Sequence, residues 1–172
     1  YGNWELGPII IKSLGLDPLC VYRKSNNKFV ELLIQNIRGK NATYAPKGDI
    51  GAKKSYLWLR KGKSLALLMD QKLNEGLSID FLGKPANTAS FIADIAIRMN
   101  LDIVPIKFSR DINNHNIITF YKKINMPKNN LSKNKKISFI LKQVNDVMSQ
   151  WIKDQPENWL WIHRRWQKDL YV

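Results

Sequence analysis

Glu5 stands in the opening run YGNWELGPIIIKSLGL, with a Gly-Asn pair and Trp4 before it and apolar residues after it. A carboxylate in that setting is either a favourable charge in the first turn of a helix or one half of a catalytic pair. The other half is not evident in the chain. Of the two histidines, His115 lies in NNHN, which reads as a polar turn between strands. His163 lies in WLWIHRRW, where Arg164 and Arg165 oppose its protonation; it is expected to pack or hydrogen-bond in an aromatic cluster, or to help bind an anion. Neither histidine has metal-ligand spacing, and the single cysteine, Cys20, excludes both an internal disulfide and a Cys-based zinc site. No G-x-S-x-G surrounds Ser13, Ser25, Ser55 or Ser64, so no serine sits in a nucleophile elbow. KGDIGAKKS and GKPANTA carry Gly and Lys but miss the P-loop order, although a helix starting near Asn87 could bind an anion through its free amides.

The elements that must position Glu5 alternate in type. DPLCVYRK is a short apolar run opened by Asp-Pro and reads as a strand. Phe29, Leu32, Leu33 and Ile37 recur at helical spacing in NNKFVELLIQNIRG, an amphipathic helix closed by Gly39. YAPKGDIGAK reads as turn, followed by a basic helix around KKSYLWLRKGK. SLALLMD is apolar throughout, as a central strand buried on both faces would be. KPANTASFIADIAIRMN is expected to form a helix capped by Asn87 or Thr88, with Phe91, Ile92, Ile95 and Met99 inward. DIVPIKFSR and IITFYKK read as two strands around the turn DINNHN, and a long helix is expected from about Ser132 to Lys153. These segments predict a layered α/β domain with a central, mostly parallel or mixed sheet flanked by helices.

Composition bounds what this domain can do. A chain of 172 residues, 44% apolar and 24% charged, is long enough for a core and reads as one domain. The net charge of +14 attracts polyanions: nucleic acid, anionic lipid or an acidic protein carrying substrate. Abundant Lys, Asn and Ile also fit an AT-rich coding bias. The C-terminal Trp and Arg residues suit stacking on single-stranded nucleic acid, a lipid headgroup boundary, or a hydrophobic lock closing the domain. No apolar run approaches the ~18 residues that span a bilayer, and none resembles a signal peptide. The first residues read as mid-domain, and a preceding segment is expected.

Six stretches, in order, carry a resemblance: YGNWE, VYR, LMDQKLNEG, DFLGKPANTA, DIVPIKFSR and QPENWLWIHRRW. Together they span residue 1 to about 168 and resemble the lauroyl/myristoyl-type late acyltransferases of bacterial lipid A biosynthesis. That family belongs to the group built around His-x-x-x-x-Asp/Glu, and its motif reads approximately His-aromatic-Gly-Asn-Trp-Glu. The resemblance implies a glycerolphosphate-acyltransferase-like fold over 1–172, without the membrane helix and motif histidine that usually precede it. It makes Glu5 the catalytic carboxylate that orients a general-base histidine directly before Tyr1. It assigns Arg23 to a phosphate or to developing negative charge, and Asn3, Asp70, Gly76, Arg164 and Arg165 to shaping or binding substrate. The implied partners are acyl carrier protein as donor, a lipid A precursor as acceptor and an anionic membrane surface. The implied form is a monomer at the cytoplasmic face of the bacterial inner membrane, with no cofactor, metal or nucleic acid. Without its histidine the chain is expected to be inactive. The alternatives are a basic nucleic-acid-binding module and a gene fragment without function.

Overall fold

A computed structural model of the chain describes residues 2–39, 42–161 and 163–171. The chain divides into two compact units, one spanning Asn3–Leu68 and the other Tyr1–Gly2 with Met69–Val172.

The first unit begins with a 3₁₀ turn, Trp4–Leu6, and continues through α1 (Gly7–Ser13), β1 (Pro18–Tyr22), α2 (Lys28–Arg38), β2 (Thr43–Pro46), α3 (Asp49–Arg60) and β3 (Ser64–Ala66). Its sheet has the order β2-β1-β3 with both pairings parallel, Leu19 lying opposite Thr43 on one side and Leu65 on the other. The apolar run of β1 is explained by that central place, because helices cover parallel sheets and bury their inner strands. Pro18, Leu19 and Cys20 are all buried.

The segment SLALLMD departs from expectation. Its strand is only three residues long and sits at the sheet edge, while β1 takes the centre. YAPKGDIGAK also departs: it supplies β2 and the first turn of α3, which starts at Asp49. Gly51 allows this, since a Cβ there would lie 1.8 Å from the Pro46 carbonyl oxygen. The helix packs against the strand through bare backbone.

α2 forms as its pattern predicts, capped by the Asn27 side chain accepting from the amides of Phe29 and Val30 and closed by Gly39 at a φ of 52°. Its orientation is unusual. A surface helix of a globular protein ordinarily turns its apolar stripe to the core. Here Phe29, Leu32, Leu33 and Ile37 are 83%, 63%, 58% and 71% exposed, whereas Glu31 is 7% exposed.

The second unit contains the hairpin β4 (Leu77–Phe81) and β5 (Lys84–Thr88), α4 (Phe91–Met99), the hairpin β6 (Ile106–Arg110) and β7 (Asn116–Phe120), and α5 (Lys133–Asp154). One face of α5 carries Ile137, Ile140, Leu141 and Val144, which form a core with Ile79, Ala93, Ala96, Ile103 and Ile124. Each buried aliphatic side chain contributes roughly 1.5–3 kcal/mol before ordering costs. The β6–β7 hairpin and α5 match the periodicity that predicts them.

The β4–β5 hairpin replaces the start expected for α4. Residues 84–88 pair with 77–81 in antiparallel register, so Asn87 and Thr88 are strand residues and the helix opens at Phe91 behind Ser90. No helix N-terminus therefore lies at Asn87 to hold an anion. Leu82 and Gly83 turn the chain with φ of 55° and 79°, the signs a two-residue type I′ turn requires. The Leu82 amide is secured by donating to Ser149 Oγ at 3.0 Å. Among the described residues no helix is long and apolar enough to cross a membrane.

Candidate active site

Asn3 leads into the 3₁₀ turn that carries Glu5, its carbonyl accepting from the Leu6 amide at 3.2 Å. Pro8 then sets the first turn of α1, where its missing N–H costs nothing. This geometry points the Glu5 carboxylate at Arg38, the last residue of α2. Arg38 Nη2 donates to Glu5 Oε1 at 2.7 Å and Nε donates to Oε2 at 3.1 Å. Two parallel bonds from a rigid guanidinium fork fix a carboxylate in angle as well as position.

Arg38 is itself held by aromatic rings. Its guanidinium carbon lies 5.5 Å from the Trp4 ring centroid and 5.1 Å from those of Tyr22 and Tyr44. Tyr22, on β1, also donates to Glu31 Oε1 at 2.5 Å. Glu31 accepts further bonds from the Ser25 amide at 2.9 Å and Gln35 Nε2 at 2.7 Å. The Tyr22 hydroxyl and then these two donors hold the Glu31 carboxyl below its ordinary range. Burial penalises the charge on Arg38, but its bonds to Glu5 outweigh this and hold it above the usual arginine value. Glu31, Gln35 and Arg38 thus form a polar stripe, at i, i+4 and i+7, in which Glu31 and Arg38 turn into the unit and the exposed Gln35 reaches Glu31.

Glu5, Leu6, Ile9, Ile34, Ile37, Arg38 and Tyr44 line a cleft of about 350 Å³. Its walls are aliphatic and aromatic, and its charge is confined to one matched pair. The side chain of Glu5 is 45% exposed. A carboxylate has about four lone-pair sites, so Glu5 can accept a further N–H while bound to Arg38. The arrangement can orient and charge-stabilise an imidazole beside an apolar channel.

The other residues singled out by sequence are placed as follows. Arg23 is exposed, one residue past β1. Asn3 is exposed and makes no side-chain cap to the turn it precedes. Asp70, Gly76, Arg164 and Arg165 belong to the second unit. Gly76 is shaped by packing, since a Cβ there would approach the Thr88 backbone to 2.6 Å. Arg164 and His163 are exposed, so the expected packing of His163 in the aromatic cluster does not occur. Trp159, Trp161, Trp166 and Tyr171 form that cluster with Phe81.

Arg165 is 1% exposed. It donates through Nη1 to the Asn87 carbonyl and through Nη2 to Thr88 Oγ1, both at 2.8 Å, beneath the Phe81 ring. Burial pushes its pKa down to about 10, with the charge of Asp70 opposing the shift. His115 closes the β6–β7 turn, its Nδ1 lying 3.0 Å from Asp111 Oδ2. Among the described residues no group of three or more His, Cys, Asp or Glu could hold a metal ion.

Sequence reasoning missed Arg38. The signal was present, however: an acid, an amide and a guanidinium spaced along the side of α2 opposite its apolar stripe, ending just before the terminating glycine.

Burial pushes the Cys20 thiol up to about 11, with Arg38 lowering and Glu5 raising it. The folded state therefore keeps a proton that the unfolded chain releases from about pH 9. This part of the stability is complete below pH 9 and is lost as pH rises from 9 to 11. The expected loss is about 2–3 kcal/mol. Urea melts of the wild type at pH 8 and pH 11 should show it, and Cys20→Ala should remove this component of the pH dependence.

The family model described as bacterial lipid A biosynthesis acyltransferase matches residues 1–168. Comparison with curated proteins finds no match. The family match takes in both the carboxylate turn and the arginine that grips it, and extends almost to the chain's end. The chain belongs to the bacterial lipid A biosynthesis acyltransferases.

Proposed function

We propose that this acyltransferase is of the late type and moves a fatty acyl chain from the thioester of acyl carrier protein to a hydroxyl of an acylated glucosamine disaccharide, the lipid A precursor. The observation that supports this best is the two-bond grip of Arg38 on Glu5 at the edge of an apolar cleft. In this reading the general base is the histidine that opens the family's His-x-x-x-x-Glu motif, whose last residue is Glu5. That histidine takes the proton of the acceptor hydroxyl as that oxygen attacks the thioester carbonyl. The tetrahedral oxyanion collapses, the carbon–sulfur bond breaks, and the imidazolium returns its proton to the leaving thiolate. Glu5 stabilises the imidazolium without becoming protonated itself. Arg38 is a positioning residue that acts through Glu5.

Arg23 binds a phosphate of the precursor or supports the developing negative charge. Asn3, Asp70, Gly76 and Arg164 shape or contact the substrates, while the burial of Arg165 favours a scaffolding part for it. The charge of +14 suits an acidic carrier protein and a phosphorylated acceptor. The enzyme works as a monomer at the cytoplasmic face of the bacterial inner membrane.

The test compares two versions of the 172-residue chain, preceded by a short leader ending in either His or Ala directly before Tyr1. Each receives lauroyl-acyl carrier protein and the disaccharide precursor. The His version should transfer ~10²–10⁴-fold faster, the usual contribution of a general base. The 172 residues alone should resemble the Ala version. Lauroyl-coenzyme A, lacking the acidic carrier surface, should be a poor donor. Equal rates with His and Ala would overturn the mechanism, and equal use of the two donors would overturn the carrier assignment.

A further inference from the structure

α2 has its polarity reversed with respect to its own unit. Its single acid, Glu31, and its terminal Arg38 point inward and are bonded there. Phe29, Leu32, Leu33 and Ile37 point to solvent. A helix of 11 residues with so wide an exposed apolar arc needs an apolar environment outside the unit. We propose that α2 is an interfacial helix whose outer arc enters an anionic lipid bilayer, so that the cleft bearing Glu5 and Arg38 opens at the level of the acyl chains. The proposal rests on the acyltransferase reading above and adds where the lipid enters.

Charge selects this occupant. Between Asn3 and Leu68 the sequence has twelve Lys and Arg against four Asp and Glu. Arg23, Lys24 and Lys28, all exposed, lie just before or at the start of α2. With Glu31 withdrawn, the outer surface of α2 presents no negative group. Such helices settle ~5–10 Å into the headgroup boundary, with basic side chains reaching the phosphates. A second copy docked through the same face would bring two basic rims together, at an electrostatic cost.

The cleft agrees with this placement. Ile37 belongs to both the exposed arc and the cleft lining, and Ile9, also exposed, stands on the cleft wall. An acyl chain can pass from the bilayer along Ile37 without crossing water, while Arg38, the next residue, holds the catalytic carboxylate. One helix presents lipid on its outer side and orients the reaction on its inner side.

The experiment measures flotation of the full chain with phosphatidylglycerol/phosphatidylethanolamine vesicles and with phosphatidylcholine vesicles, in the absence of donor and acceptor. The wild type should float with the anionic vesicles and far less with the neutral ones. The double variant Phe29→Glu, Leu33→Glu should bind at least ~10-fold more weakly, while remaining folded because both side chains are exposed. In a Cys20→Ala background, an environment-sensitive dye on Phe29→Cys should shift to the blue with anionic vesicles, and the same dye on Lys53→Cys should not. Unchanged flotation of the double variant, or no dye shift at position 29, would overturn the proposal. So would a wild-type dimer in light scattering that the double variant abolishes without any vesicle binding, which would make the face an interface between copies. Displacement of the dye shift by acyl carrier protein alone would assign the face to the carrier and equally overturn it. Glu5→Gln should float like the wild type, so a failure of the catalytic reading remains distinguishable from a failure of this one.

Discussion

Glu5→Gln, in a chain supplied with histidine directly before Tyr1, is expected to slow acyl transfer about 10³–10⁴-fold. On the proposed mechanism, the amide keeps the shape of the side chain but removes the charge that stabilises the imidazolium, and it can present N–H where the histidine needs an acceptor. The corresponding Asp→Asn change in a Ser-His-Asp triad costs about 10⁴ in kcat with the geometry intact. Arg38→Gln should cost less, about 10²-fold, because Glu5 keeps its charge and loses only its fixed direction. Both losses should fall on kcat, with KM for the acyl donor little changed.

A double-mutant cycle separates the two contributions. Once Glu5 is an amide, Arg38 has no carboxylate left to position, so the double variant should be hardly slower than Glu5→Gln alone. Arg38→Lys should recover part of the loss, since a lysine keeps the charge but cannot make the two bonds at 2.7 and 3.1 Å. A Glu5→Gln enzyme that retains a third or more of the wild-type rate would remove the carboxylate from the chemistry.

Arg165→Leu is expected to produce the second large effect, on stability. The guanidinium is buried among the Asn87 carbonyl, Thr88 Oγ1 and the Phe81 ring. Thr88 Oγ1 also accepts from Asn145 Nδ2 at 3.2 Å, and Asn145 Nδ2 donates to the Asp80 carbonyl at 2.9 Å. Arg165 therefore links the β4–β5 hairpin, α5 and the C-terminal segment. Its removal takes from the Asn87 carbonyl and from Thr88 Oγ1 their shortest, charged donor and opens a gap beneath Phe81.

Losing hydrogen bonds made by a charged group costs about 1.5–3 kcal/mol. That is a large part of the 5–15 kcal/mol that holds an ordinary domain together. Urea denaturation followed by the emission of the neighbouring tryptophans would report the change in midpoint. Arg164→Ala, at an exposed position, should shift stability by less than about 0.5 kcal/mol. Equal midpoints for the Arg164 and Arg165 variants would contradict the assignment of Arg165 to the scaffold.

These two arginines show where local reading stops. Arg164 and Arg165 are adjacent and identical in type, yet one is solvated and the other is enclosed. Nothing within WIHRRW distinguishes them, because the difference arises from Asn87 and Thr88, nearly eighty residues earlier. The β4–β5 hairpin was obscured for a similar reason. KPANTA precedes an apolar periodic run and has a plausible cap, but its backbone instead pairs with Leu77–Phe81. A favourable cross-strand register overrides a weak local preference. SLALLMD is apolar enough for a central strand, but β1 takes the centre of the sheet.

The sequence by itself determined the family through collinear motifs, the β6–β7 hairpin, α5, and the end of α2 at Gly39. Those features are carried by neighbours a few residues apart, where spacing and cap chemistry suffice. Only the tertiary structure decided that Glu5 meets Arg38, 33 positions away, and that α2 turns its polar stripe inward and its apolar stripe out. Periodicity measures how the two sides of a helix differ, whereas what lies beyond each side is set by distant residues and by whatever surrounds the fold.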